Sequence, residues 1–233
     1  MHDSDDPAVY ARANKKRITD ELTDKEVYPP ENNPVSVFMA GSPGAGKTEA
    51  SIELLNQFPD ASIVRIDPDE IRENLPGYQG SNAADFQEAV SILVSGALDK
   101  VFKNGQSFLL DGTLSSYEQA KRNVERSLNR RRFVQILYVY QSPEIAWKFV
   151  QRRRQVEGRA VQLEVFIEQY FAAREVVQQL KKTYGKSIAV DLLMKDIDGG
   201  KRWFKKGVDT IDEHVPERYT RESLGSLLAE RGE

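Results

Sequence analysis

Short apolar runs alternate along the chain with longer stretches in which apolar residues recur at helical spacing. Apolar runs of strand length occupy residues 35–40, 62–66, 107–110, 133–140 and 187–192. Between them, the clearest helical spacing covers residues 82–103, where Phe86, Val90, Leu93 and Val94 fall on one face. Strands that are separated by helices pair in parallel through right-handed crossovers. The pattern therefore predicts an α/β fold with a central, mostly parallel sheet of about five strands.

The remaining pattern divides the chain into three parts. Further helices are predicted at residues 8–22, 48–58, 69–74, 117–128, 143–155, 163–183 and 220–231. Three prolines at positions 29, 30 and 34 cannot continue the first helix, so they predict a linker before the first strand. We thus expect an N-terminal helix and linker at residues 1–34, the α/β domain at 35–198, and a C-terminal helical appendage at 199–233.

Composition limits the classes of partner. The 233 residues include 33 basic and 36 acidic ones, a net charge of -3, so there is no overall basic field to attract nucleic acid or an anionic membrane. Cysteine is absent, which excludes disulfides and thiolate metal sites. The chain has neither a signal-like apolar segment at its polar N-terminus nor an apolar run of about 18 residues. We expect a soluble, cytoplasmic protein.

A glycine-rich segment follows the first predicted strand and opens the next helix. It reads Gly41-Ser42-Pro43-Gly44-Ala45-Gly46-Lys47-Thr48, the P-loop pattern G-x-x-x-x-G-K-T, and is followed by Glu49. Its glycines let successive backbone N–H groups turn toward phosphates, and the helix N-terminus adds its positive dipole end. Lys47 is then expected to reach the β- and γ-phosphates of ATP (or GTP), and the Thr48 hydroxyl to ligate Mg²⁺.

Two carboxylates end the second predicted strand. Asp67 and Asp69 flank Pro68, and ligands of open α/β sheets bind beyond the carboxyl ends of the strands. One carboxylate could be a general base for an acceptor hydroxyl, and the other could bind Mg²⁺ through water. A helix N-cap is the alternative, because Asp before Pro-x-Glu is a good helix start. The P-loop about twenty residues upstream favours the catalytic interpretation.

The third predicted strand ends in a similar way. Asp111, Gly112 and Thr113 combine a carboxylate, a residue that permits close approach and a hydroxyl, which suits recognition of a substrate hydroxyl. A turn followed by an N-cap explains the same residues equally well.

Arginines near the end of the predicted helix 143–155 are candidates for stabilising a moving phosphoryl group. Arg152, Arg153 and Arg154 are consecutive, so they point about 100° apart on a helix and at least one faces solvent; Arg159 lies in the following turn. A charged helical face is the alternative. The other arginine run, residues 130–132, lacks such a context and is predicted to be solvated or to interact with a helix C-terminus.

Taken together, these motifs resemble the zeta toxin family of P-loop kinases, which are toxins of toxin–antitoxin pairs. The resemblance covers residues 14–180. Beside the P-loop it rests on Asn14-Lys15-Lys16-Arg17-Ile18, Ile66-Asp67-Pro68-Asp69, Leu75-Pro76-Gly77-Tyr78, Leu110-Asp111-Gly112-Thr113, Gly158-Arg159-Ala160-Val161 and Phe166-Ile167-Glu168-Gln169-Tyr170. It implies a three-layer P-loop kinase-like fold and phosphorylation of a small-molecule hydroxyl. Many members phosphorylate the 3′-hydroxyl of the sugar in UDP-N-acetylglucosamine.

The resemblance also implies roles for individual residues. Asp69 matches the catalytic base, Arg153 and Arg159 match arginines that stabilise the phosphoryl group, and Asp111 and Thr113 fall where sugar-binding residues lie. Lys47 and Thr48 match the phosphate and Mg²⁺ residues. A small helical antitoxin is the implied partner.

Three positions depart from well-known members of the family. Asp111 stands where they have Glu, Ser95 where they have a substrate-contacting Glu, and Ser115 where they have Arg. The identity of the acceptor is therefore open, and a different nucleotide sugar or another hydroxyl compound is an alternative to UDP-N-acetylglucosamine. Two other classes also remain open: a kinase that acts on nucleic-acid ends or another metabolite, and a non-catalytic ATP-binding switch that would need neither Asp69 nor Arg159.

Overall fold

The computed structural model describes residues 6–195, 202–215 and 219–230. Its helices and strands are α1 Pro7–Leu22, β1 Val35–Ala40, α2 Lys47–Asn56, β2 Val64–Ile66, α3 Pro68–Glu73, α4 Gln87–Asn104, β3 Phe108–Leu110, α5 Tyr117–Leu128, β4 Phe133–Tyr140, α6 Pro143–Glu157, α7 Leu163–Tyr184, β5 Ala189–Met194, β6 Trp203–Lys205 and α8 Arg221–Glu230. The predicted α/β class is confirmed.

The strands form one sheet in the order β2-β3-β1-β4-β5-β6. The first five strands run parallel, and β6 pairs antiparallel to β5 through Leu193 opposite Phe204. The sheet therefore has six strands rather than about five. Only three residues form β6 and all three are exposed, so no run of alternating apolar residues predicted it. The predicted boundary between residues 198 and 199 lies outside the described residues.

Both faces of the sheet are covered, which makes three layers. Along β1, Phe38 belongs to the larger core on one face, whereas Val37 and Met39 belong to a second core on the other. Strand side chains alternate between faces, so this division follows from the period of two. The larger core includes α4 residues, and the second core includes Ala50 of α2.

Residues that follow the parallel strands meet at one edge of the sheet. The next residue after each of β1 to β5 is Gly41, Asp67, Asp111, Gln141 and Lys195, in that order. Parallel strands bring all their carboxyl ends to the same side, where α/β proteins bind ligands. The last four of these residues are polar and buried. The fold thus collects several polar side chains beside the P-loop.

A separate small core joins the last three helices. Ala146 and Val150 of α6 pack with Phe166 of α7 and with Leu224 of α8. The predicted C-terminal helix at 220–231 therefore exists as Arg221–Glu230 and packs on α7. Within the described residues, no helix is long and apolar enough to cross a membrane.

The long helix α4 begins five residues later than predicted. Its first residue is Gln87, and residues 82–86 form turns instead. The side chain of Asn82 accepts a hydrogen bond from the Gln79 N–H at 2.9 Å and donates one to the Gly77 carbonyl at 2.9 Å. These local bonds stabilise a turn in place of the first helical turn.

The prediction that residues 130–132 are solvated or interact with a helix C-terminus is wrong for Arg132. Its side chain is buried, and it donates hydrogen bonds to the Ser36 hydroxyl and the Val35 carbonyl, both at 2.8 Å, and to the Gln106 carbonyl at 2.5 Å. Its guanidinium also lies over the Phe108 ring. Arg132 therefore links β1, β3 and β4 away from the phosphate loop, and its role is structural.

Candidate active site

The loop between β1 and α2 is shaped by three glycines with positive φ. Gly41, Gly44 and Gly46 have φ of 138°, 71° and 77°. A Cβ atom on Gly41 would lie 2.3 Å from the Val139 carbonyl oxygen, and one on Gly44 would lie 2.2 Å from the Ala146 carbonyl oxygen. Any side chain at these positions would collide with backbone, so the loop fits closely between β4 and α6. This cradle of backbone N–H groups at a helix start fits phosphates.

Lys47 extends back over this loop. Its ammonium group donates hydrogen bonds to the Gly41 carbonyl at 3.0 Å and to the Ser42 carbonyl at 2.7 Å. Burial lowers the pKa of Lys47 to about 8; the charges of Arg153 and Arg159 also lower it, whereas Asp111 and Asp69 raise it. Lys47 therefore interacts electrostatically with residues from three other parts of the predicted site.

The donor groups at this edge suit a nucleotide-bound Mg²⁺ ion. Thr48 is half-buried in the first turn of α2, and a hydroxyl oxygen is the kind of hard ligand that Mg²⁺ takes. Among residues 6–195, 202–215 and 219–230, no group of three or more His, Asp or Glu side chains could hold a metal ion. The ion would thus need phosphate oxygens and water in addition to Thr48, which is how Mg²⁺ usually binds with nucleotides.

Asp67 is the N-cap of α3. Its Oδ1 atom accepts a hydrogen bond from the Asp69 N–H at 2.8 Å, and its Oδ2 atom accepts one from Arg65 at 2.5 Å. Burial raises the pKa of Asp67 to about 6, and the charge of Asp111 adds to this effect. The N-cap alternative is therefore confirmed for Asp67, and its part in substrate binding stays a prediction.

Asp69, in the first turn of α3, is bound by two arginines. Its Oδ1 atom accepts a hydrogen bond from Arg72 at 2.6 Å, and its Oδ2 atom accepts one from Arg159. Burial raises the pKa of this carboxyl, but Arg159 and Arg72 outweigh burial and hold the pKa below its usual value. Asp69 is therefore ionised at neutral pH, as a general base must be before it accepts a proton.

The arginines predicted to stabilise the phosphoryl group come from the end of α6 and the turn after it. Arg159 contacts Asp69, and Gly158 packs close to the backbone of Gln79 and Ser81. Arg152 and Arg153 are both exposed on α6, but it is Arg153 whose charge lowers the pKa of Lys47. This proximity favours Arg153 as the arginine that faces the phosphates.

Asp111 directly follows β3 and is bonded to residues of α2 and β2. Its Oδ2 atom accepts hydrogen bonds from the Ser51 hydroxyl and from Arg65, both at 2.8 Å. The Ser51 hydroxyl also interacts with the Thr48 carbonyl at 2.8 Å. Asp111 is thereby connected to the helix that carries the phosphate-loop lysine.

The predicted acceptor residue Thr113 and the two serines that depart from the family pattern lie in different places. The hydroxyls of Thr113 and Ser115 are 3.0 Å apart, and the Thr113 carbonyl accepts a hydrogen bond from the Gly41 N–H at 3.3 Å. Thr113 therefore lies directly beside the phosphate loop. Ser95 is exposed on α4.

Sequence reasoning missed three charged residues of this site. Arg65 bonds to Asp67, Asp111 and Glu70; Arg72 bonds to Asp69; and Lys195 contacts the P-loop. Arg65 stands inside an otherwise apolar strand, and that position was a signal of a paired, buried charge. Lys195 follows a strand that gave no comparable signal.

Comparison with known proteins identifies the family of the chain. The family model of the zeta toxins matches residues 18–208. No curated protein sequence matches the chain.

Solved structures with the same fold include one protein of a toxin–antitoxin system and complexes of AvrRxo1-ORF1 with AvrRxo1-ORF2. One belongs to the PezAT chromosomal toxin–antitoxin system of Streptococcus pneumoniae, with 17% identity, a TM-score of 0.68, and coverage of 99% of this chain and 95% of that one. Another is AvrRxo1-ORF1:AvrRxo1-ORF2 with sulphate ions, with 14% identity, a TM-score of 0.60, and coverage of 89% and 69%. AvrRxo1-ORF1:-ORF2 with ATP has 16% identity, a TM-score of 0.59, and coverage of 84% and 63%.

The family model spans most of the chain and includes the phosphate loop, Asp69 and Arg159. The chain belongs to the zeta toxin family of P-loop kinases.

Proposed function

We propose that this protein transfers the γ-phosphoryl group of ATP (or GTP), with Mg²⁺, to a hydroxyl group of a nucleotide sugar such as UDP-N-acetylglucosamine. The observation that carries the proposal is the placement of Asp69. An ionised carboxylate lies beyond the end of β2, in contact with Arg159 and within electrostatic range of Lys47. A base, a phosphate-loop lysine and an arginine are the groups that phosphoryl transfer to a hydroxyl needs.

The proposed reaction divides these groups between donor and acceptor. Asp69 takes the proton of the acceptor hydroxyl as its oxygen forms a bond to the γ-phosphorus. The bond between that phosphorus and the β,γ-bridging oxygen breaks, and the nucleoside diphosphate leaves. Lys47, Arg153 and Arg159 stabilise the charge that moves onto the phosphoryl and bridging oxygens. Residues 41–49 hold the phosphates, and the Thr48 hydroxyl holds Mg²⁺.

The proposed acceptor site is formed by residues that follow β2 and β3, next to Asp69 and the P-loop. Asp67, Asp111 and Thr113 follow neighbouring strands and present carboxylates and a hydroxyl, which suit the hydroxyl groups of a sugar. Of the similar solved structures, one contains ATP and one belongs to a toxin–antitoxin system. We extend both to this chain: ATP as the donor, and an antitoxin protein as the partner of a cytoplasmic toxin.

The reaction is tested by incubating the purified protein with ATP, Mg²⁺ and a panel of nucleotide sugars and other metabolites. Mass spectrometry should detect a gain of one phosphate on a nucleotide sugar, and Asp69→Asn should abolish that gain while ATP still binds. Phosphate transfer from labelled ATP to RNA, with none to any nucleotide sugar, would instead indicate an end kinase. Tight ATP binding without transfer to any compound of a metabolite extract would indicate a switch.

Toxicity is tested separately. Expression of the wild-type protein should arrest growth, and Lys47→Ala should relieve the arrest because the phosphate loop loses its cation. Normal growth at good wild-type expression would contradict the toxin assignment without affecting the enzymatic one.

A further inference from the structure

A buried lysine contacts the phosphate loop from behind. Lys195 directly follows β5 and is 8% exposed. Its ammonium group donates a hydrogen bond to the Gly46 carbonyl at 2.8 Å, across 149 residues of sequence. The backbone N–H of Lys195 donates a hydrogen bond to the Tyr140 carbonyl at 2.9 Å, so the backbone of Lys195 is held against the end of β4. Burying an ammonium group is costly unless it is bound, so this contact needs an explanation.

The contact acts on the peptide group between Gly46 and Lys47. This peptide is planar and trans, so its carbonyl and its N–H point in opposite directions. The Gly46 oxygen accepts two hydrogen bonds, one from the Ala50 N–H at 3.1 Å and one from Lys195. Both bonds hold the carbonyl toward the body of the protein. The Lys47 N–H is therefore held pointing out of the N-terminal end of α2, where a phosphate binds.

Gly46 leaves the space that Lys195 fills. A Cβ atom on Gly46 would lie 2.3 Å from the Lys195 ammonium nitrogen and 3.1 Å from the Glu49 Oε2 atom. Glycine is thus required here for two reasons: its φ of 77°, and the close approach of a charged side chain. The approach also places a positive charge beside the P-loop.

We infer that Lys195 is a positioning residue of the nucleotide site, which orients the Gly46–Lys47 peptide toward the phosphates of a nucleoside di- or triphosphate. This inference rests on the nucleotide binding in the proposed function but not on the acceptor. Because both ADP and ATP carry the β-phosphate that a P-loop holds, loss of Lys195 weakens the binding of both nucleotides. The acceptor side is unaffected.

The test compares Lys195→Met and Lys195→Arg with a matched control, Lys186→Met, whose lysine is exposed. Titration calorimetry with ATP and with ADP should show Kd values raised roughly 10- to 100-fold in Lys195→Met, the range for one lost hydrogen bond to a charged group. Lys195→Arg should be intermediate, and Lys186→Met unchanged. The KM for ATP should rise, and the KM for the acceptor should not.

If Lys195 had a purely structural role, its substitution would change thermal stability and not nucleotide affinity. It would lower the Tm of the nucleotide-free protein but leave both Kd values within twofold of wild type at a temperature where the variants are folded, and that result would overturn the inference. Should Lys195→Met fail to fold, Lys195→Ala also removes the donor and leaves room for water at the Gly46 carbonyl, so it carries the same test: weakened binding supports the inference and unchanged binding overturns it. Tight ATP binding by a wild-type protein that phosphorylates nothing would contradict the proposed function and leave this comparison valid.

Discussion

Arg159 donates a hydrogen bond to the carboxylate of Asp69, 90 residues earlier in the chain. The contact joins the turn between α6 and α7 to the first turn of α3. Arg72 binds the other carboxylate oxygen from within α3, so the proposed base lies between two guanidinium groups. Both positive charges lower the pKa of Asp69, and they keep it ionised beside the phosphate loop.

Substitution of Arg159 should therefore change both rate and pH dependence. We expect Arg159→Met to lower kcat on the order of 100-fold, because a cation beside the transferred group is lost. Asp69 acts above its pKa and is inactivated as pH falls through it. Without Arg159 that pKa rises, so the acid limb of kcat/KM should move to higher pH.

The control for this prediction is Arg154→Met, which replaces an exposed arginine near the end of α6. Its acid limb should coincide with that of the wild type, because Arg154 does not contact Asp69 in the described structure. An Arg159→Met enzyme with the wild-type acid limb would argue against the Arg159–Asp69 contact during turnover.

Nucleotide affinity should fall as pH rises through the pKa of Lys47, about 8 in the free protein. Bound phosphates favour the charged form and raise this pKa, so binding depends on a proton that the free protein loses above pH 8. The affinity for ATP measured at pH 7.5 and 9 should decrease accordingly. Lys47→Arg, which keeps its charge over this range, should bind with little change between the two values. An equal decrease in both proteins would assign the effect to another group.

Arg65 should be essential for stability, because it neutralises the buried carboxylates Asp67 and Asp111. Removing one partner of a buried ion pair costs about 3–5 kcal/mol, so Arg65→Met should lose that much free energy of unfolding at pH 7.5. The native pKa of Asp67 is already raised to about 6, above its value in the unfolded chain. Protonation of the native state thus restores stability as pH falls through that range.

Urea unfolding at pH 7.5 and 5 measures this effect. The loss of free energy of unfolding in Arg65→Met, relative to the wild type, should be smaller at pH 5 than at pH 7.5. The control Arg17→Met removes an exposed arginine whose ion pair with Glu21 is 3.6 Å long, and should change stability by at most about 0.5 kcal/mol at either pH. A deficit that does not depend on pH would indicate lost packing rather than unpaired carboxylates.

Arg132 should affect folding and not nucleotide binding. Its substitution by Met leaves the Val35 and Gln106 carbonyls without this donor, so the free energy of unfolding should fall by about 3 kcal/mol. The Kd for ATP should stay within about twofold of the wild type at a temperature where the variant is folded, as expected for a site remote from the phosphates. Arg131→Met is the matched control because Arg131 is exposed. A large loss of ATP affinity would contradict a structural role.

The sequence predicted the site elements that are local in the chain. The phosphate loop is one continuous segment, and its glycines and lysine specify the backbone shape and the ligand together. Most helix and strand positions also followed from periodicity, including β4 and α5 to the residue. The start of α4 was missed because the side chain of Asn82 bonds locally to a turn. The exposed strand β6 was missed because its residues show no period of two.

The sequence by itself determined that a P-loop, a carboxylate after β2 and a group of arginines at the end of α6 exist, since each is encoded by neighbouring residues. Only the tertiary structure decided which charged side chains meet each other or a backbone group. Arg65 with Asp111, Arg159 with Asp69, and Lys195 with Gly46 are separated by 46, 90 and 149 residues. Such pairs depend on the strand order and on how deeply each side chain is buried, because electrostatic and hydrogen-bond energies depend on distance and on exposure to water. No local pattern in the chain carries that information.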